Sequence, residues 1–148
     1  MLLVHAIVVL APLTALLEML CGVMPSARRR LVWLVLALAI VTAVLTPLTT
    51  EAGEWFYNLL PQHTDVLNGH ANRGQWMIYF SGALVVVALA LAWLHVTERK
   101  AESRRAAANI VVAILALGVG ISTIVTVYRI GDSGAQSAWQ GVIPANKR

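Results

Sequence analysis

Four long apolar stretches alternate with short polar breaks along this chain. They run Met1–Leu17 (continuing past Glu18 to Met24), Leu31–Thr50, Gly74–Thr97 and Ala106–Tyr128. Apart from Glu18, none of them contains Asp, Glu, Lys or Arg. A helix of about 20 apolar residues crosses a hydrocarbon layer of about 30 Å. The pattern therefore predicts an all-α fold, a four-helix transmembrane bundle with helices at about 2–24, 31–50, 74–97 and 106–129. Residues 1–130 are expected to form the bundle and 131–148 an external C-terminal tail.

Composition supports this. Hydrophobic residues make up 59% of 148 and charged residues 12%, about half the charged fraction usual for a soluble domain. A soluble chain this short could not cover so much apolar surface. The net charge of +4 does not point to nucleic acid, because the basic residues form short clusters rather than a stripe. The single cysteine, Cys21, excludes an internal disulfide and a multi-cysteine metal site. The first stretch has no basic lead and no small-residue cleavage site, so it is expected to be a retained helix.

The loops set an expected orientation. Arg28, Arg29 and Arg30 lie between the first two helices, and Arg99, Lys100, Arg104 and Arg105 between the last two. Short loops rich in Lys and Arg stay in the cytoplasm. The segment Glu51–Arg73 carries three acids and one arginine, a net charge of −2, and is expected outside together with both termini. It opens with Trp55-Phe56-Tyr57, an aromatic belt, which predicts a surface helix or loop between helices two and three. The localisation implied is a plasma membrane.

In helix four Gly118, Ser122 and Thr126 recur at intervals of four, beside Ala116 and Gly120. Small residues at this spacing let helices approach closely in lipid, within one chain or between two copies. Pro12 and Pro47 each remove a backbone donor and invite a bend.

The remaining chemistry rests on a few polar residues. An ionisable side chain in a membrane marks a functional site by default. His5 lies near the outer end of helix one. His63 and His70 are two helical turns apart before helix three, and Glu51 and Glu54 lie across from them. Imidazole and carboxylate ligate zinc, copper or iron, and opposed histidines suit haem iron. Each histidine equally suits an interfacial hydrogen-bonding role. His95 is expected to reach the cytoplasmic interface. Glu18 is expected to pair with Arg28 or with a basic residue of the 99–105 loop. No nucleophile elbow, Walker loop or H-E-x-x-H motif is present. Gly131-Asp132-Ser133-Gly134 reads as a turn with Gly131 as the helix stop. Residues Gly131–Trp139 are expected to fold back over the outer end, with Asp132 capping the turn or pairing with Arg129 or Arg73.

Four segments give the chain a family resemblance. They are His5 with Ala11-Pro12-Leu13; Thr50-Glu51-Ala52-Gly53-Glu54-Trp55; His70 with Gly74; and the run from Tyr128 and Arg129 through Gly131, Asp132, Ser133 and Gly134 to Trp139. With these the chain resembles the DUF2231 family of small four-helix bacterial membrane proteins, in particular its actinobacterial members. Some relatives are fused to Rieske-type iron–sulfur domains. The resemblance thus implies a redox role, with His5 and His70 as candidate ligands of b-type haem. Relatives often carry histidine where this chain has Asp132, which implies an altered site here.

Two functions follow. One is a redox protein that binds haem b or a metal ion at its outer face, with His5, His63, His70, Glu51 and Glu54 as candidate metal ligands. The other is a non-catalytic accessory subunit, acting as a homodimer or within a larger membrane complex in the lipid bilayer.

Overall fold

A computed structural model describes residues 2–59, 65–97 and 103–139, with side chains for 6–59, 65, 68–97 and 106–136. Every described residue except Met24 is helical. The elements are α1 (Leu2–Val23), α2 (Pro25–Leu59), α3 (Asp65–Thr97) and α4 (Ser103–Trp139). All four are long and apolar enough to cross a membrane.

A single residue, Met24, separates α1 from α2. Met24 N donates to Leu20 O at 2.9 Å, and Arg28 N donates to Met24 O at 3.1 Å. Pro25 opens α2, where its missing N–H would have had no partner in any case. Each helix packs on the next in sequence, α4 closes the ring onto α1, and α1 meets α3 more briefly across the diagonal. Short connections make neighbours antiparallel.

The bundle interior has two layers. At the end bearing the α1–α2 turn, Cys21, Val32, Val35, Leu91 and Ala116 form one cluster. Toward the other end Ile7, Ala11, Met77 and Val127 form a second. Residues such as Leu16, Trp33, Val86 and Ile114 point outward and are exposed. In water an apolar circumference of this kind would drive aggregation; against lipid tails it is the solvated face. Buried hydroxyls are satisfied within their own helices. Thr14, Thr42, Thr46 and Thr123 each donate to the carbonyl four residues earlier, at 2.7–2.8 Å, and so need no polar partner elsewhere.

Small residues build the α1–α4 seam. A Cβ on Gly22 would lie 3.0 Å from Ala116 Cβ and 3.3 Å from Ala113 Cα. One on Gly120 would lie 2.9 Å from Met19 Sδ and 3.2 Å from Ala15 O. Gly118 would meet nothing within 4 Å, and Ser122 is exposed. The row used for packing inside the chain is thus Ala116 and Gly120, not Gly118 and Ser122.

The helices outrun the boundaries expected from hydropathy. α2 begins at Pro25 and continues to Leu59, so Arg28–Arg30 lie in its first turns and Trp55-Phe56-Tyr57 in its last ones. α3 begins at Asp65 rather than near 74. The expected surface helix is therefore helical as extensions of α2 and α3. Tyr57 Oη donates to Asn68 Oδ1 across the two extensions. α4 runs through Gly131 to Trp139, so neither the stop at Gly131 nor the folded-back segment is formed. Hydropathy marks where lipid ends, whereas a helix ends only where its backbone bonding ends.

Candidate functional site

The extension of α3 carries His70 against the extension of α4. His70 is half-buried, and its Nδ1 lies 3.2 Å from Ser133 Oγ. Ser133 is buried and donates its only hydroxyl proton to Ile130 O at 3.0 Å. With that proton on Ile130 O, Ser133 Oγ is an acceptor for an N–H at His70 Nδ1, and in that neutral tautomer Nε2 carries the lone pair. Beside it, a Cβ on Gly134 would lie 3.0 Å from His70 Cε1 and 3.5 Å from Nδ1. The imidazole thus lies on bare backbone at Gly134 and is fixed in rotation by Ser133. Continuing α4 in helical geometry is what makes this possible, since residues 130, 133 and 134 then share one face.

The acidic candidates belong to a different seam. Glu54 Oε1 accepts from Gln75 Nε2 at 3.1 Å. Gln75 is five residues beyond His70, about 140° around α3 at 100° per residue. Glu51 and Glu54 line an open groove of about 540 Å³ between α2 and α3, with Trp76 and Tyr79. Asp132 accepts from Gln136 Nε2 at 2.9 Å along the surface of α4, so it neither caps a turn nor pairs with Arg129 or Arg73. Arg129 is exposed. His5 belongs to α1, two residues from Ile7 of the second core cluster. Its side chain, that of Trp139, and the whole of His63 lie outside the described residues. Among the described residues, no group of three or more His, Cys, Asp and Glu side chains is placed to hold a metal ion.

A second polar cluster lies toward the α1–α2 turn. Arg28 is buried and donates from Nη2 to Asn109 Oδ1 at 2.9 Å. Glu18 is fully buried, and neither carboxyl oxygen has a hydrogen-bond partner among the described residues. No hydrogen bond joins Glu18 to Arg28, whose described hydrogen-bond partner is Asn109, on α4; the other expected ion-pair partners of Glu18, the basic residues of the 99–105 loop, lie outside the described side chains. His95 sets its ring edge-on to Trp33, 6.3 Å between centroids, and its Nδ1 is buried without a hydrogen-bond partner among the described residues.

A family model described as a predicted membrane protein, DUF2231, matches residues 1–147. The chain belongs to the DUF2231 family. No match was found among curated proteins or among solved structures. The segments that carried the resemblance acquire physical roles in this DUF2231 protein. His70 docks on Ser133 and Gly134, Pro12 lies within α1, and Glu54 joins α2 to α3. Ser133 and Asn109 were not singled out from sequence. Ser133 stood inside a run read as a turn, and a lone Asn at a helix entry carries no signal of its partner.

Proposed function

We propose that this protein is a redox protein of the membrane that would bind b-type haem near its outer face, with His70 and His5 as the residues that would hold it. The observation that carries this reading is the 3.2 Å contact between His70 Nδ1 and Ser133 Oγ, an oxygen placed to accept from the ring. Metal-ligating histidines characteristically donate one ring N–H to an oxygen, which orients the ring and frees the other nitrogen. His70 has that arrangement, with Gly134 leaving room for the ring. His5 and His70 come from α1 and α3, the diagonal pair of the bundle, which suits ligands drawn from facing helices. Haem is favoured over a bare metal ion because Glu51 and Glu54 line the α2–α3 groove instead. Bound haem iron would supply one-electron transfer. The chain's own part is to hold the imidazole, fix its tautomer and exclude bulk from Gly134.

The test is an optical spectrum of the full chain, produced with haem supply and purified, before and after dithionite. The expected result is a b-type spectrum that is lost in His70→Ala and in His5→Ala. In Gly134→Leu it should weaken, because the new side chain displaces the ring. A colourless protein with less than stoichiometric haem and metal sinks the reading.

The orientation we propose puts both termini outside and the α1–α2 turn in the cytoplasm, supported by the arginines of α2's first turns. Single cysteines at Ser26 and Asp65 in a Cys21→Ala background test it with a membrane-impermeant maleimide on intact cells. Labelling at 65 and not at 26 is expected; the reverse pattern inverts the orientation.

A further inference from the structure

Glu18 is the one acid among the described residues that lies inside the bundle. It is 0% exposed, on α1 among the first-layer core residues, and both carboxyl oxygens lack a hydrogen-bond partner among the described residues. An ionised carboxylate left so would cost several kcal/mol. Ionisable groups in membrane helices are costly, and they mark proton and ion paths. Arg28, 1% exposed, is not bonded to it but to Asn109. Cys21, one turn further along α1 and also buried, lies within electrostatic reach of both Glu18 and Arg28. From α3 the nearest ionisable group toward this end is His95, turned to Trp33. Glu18 lies five residues before Val23, the end of α1, about 8 Å along the axis. A carboxyl so close to a helix end, one turn from a thiol within reach of the buried Arg28 charge, has only a short distance to cover to the water beyond that end.

We propose that Glu18 is a proton-binding site within the membrane, which exchanges its proton with water at the α1–α2 end of the bundle along the Cys21–Arg28–Asn109 side. On uptake one carboxyl oxygen forms an O–H bond with a proton delivered by water, and the group goes from −1 to neutral. On release the proton returns to water and the carboxylate remains, with the Arg28 charge nearby. The proposal is independent of any cofactor at the outer face.

Dicyclohexylcarbodiimide tests the protonated form. The apolar reagent takes the acid's proton on one of its nitrogens while the carboxyl oxygen adds to its central carbon. Rearrangement then leaves an N-acylurea that carries the whole reagent mass. With the full chain in lipid nanodiscs at pH 7, peptide mass spectrometry should find label on Glu18 about tenfold or more above Glu51, Glu54 and Asp132, which are exposed. The label should vanish in Glu18→Gln. Equal labelling of all acids, or none on Glu18, overturns the proposal. Infrared spectroscopy of the unaltered chain covers the case in which the variant misfolds. A carbonyl band of protonated acid, absent from Glu18→Gln where that variant folds, should shift in D2O within minutes. A band that never shifts shows a sealed group and overturns the exchange; its absence overturns the site.

Discussion

Leucine in place of Gly22 is expected to force α1 and α4 apart and to abolish the folded bundle at ordinary temperatures. Even the first added carbon meets Ala116 Cβ at 3.0 Å and Ala113 Cα at 3.3 Å. Neither is the far end of a flexible chain that could swing aside. Membrane helices associate through close van der Waals packing rather than a hydrophobic drive, so a wedge here removes most of what holds the pair. Overpacking costs about 1–3 kcal/mol for small insertions, and leucine adds three more heavy atoms beyond the first. Gly22→Ala should lose about 1–3 kcal/mol, read as a lower melting temperature in detergent or a lower denaturant midpoint. Gly118→Ala is the control, since its Cβ meets nothing, and it should be neutral or stabilise by up to about 1 kcal/mol. If Gly22→Leu melts like the unaltered chain, the α1–α4 seam described above is wrong.

The contrast between Gly22 and Gly118 also indicates what the sequence could convey. Four spans were legible because hydropathy over 18 or more residues is a property of lipid and length alone. Which small row of α4 faces α1 was not, since Ala116 with Gly120 and Gly118 with Ser122 are equally small; only the rotation of α4 against α1 separates them. The helix ends were not legible for a related reason. Thr50-Glu51-Ala52-Gly53-Glu54 leaves the hydropathy window but contains nothing that breaks a helix, and Gly131 in α4 has no left-handed backbone to make it a stop. Misplacing that stop hid the His70 contact, since Ser133 and Gly134 reach α3 only when α4 stays helical. His70 itself was legible, as an ionisable residue at a membrane boundary. Glu18 was legible as an oddity, but that its carboxyl would lack a hydrogen-bond partner while Arg28 bonds to Asn109 was not. Arg28 and Asn109 are 81 residues apart, and nothing local announces the pairing.

That pairing yields the second large effect. Arg28→Ala is expected to destabilise the protein by about 2–4 kcal/mol. A hydrogen bond to a charged group contributes about 1.5–3 kcal/mol, and the buried stem adds apolar contact of about 0.8 kcal/mol per methylene. Relief of the desolvation cost of a buried guanidinium offsets part of this. Arg28→Met keeps the stem and removes the charge, so it should lose less, about 1–2 kcal/mol. Asn109→Ala should also lose less than Arg28→Ala, because Arg28 has interactions beyond this one. The two positions should couple. In a double-mutant cycle the combined loss should fall short of the sum of the single losses by about 1 kcal/mol or more, as for residues in one hydrogen-bonded pair. Chemical denaturation in a fixed detergent measures all five proteins. Strict additivity would mean that the 2.9 Å contact between α2 and α4 contributes nothing, and that Arg28 acts only through its charge at the mouth of the bundle.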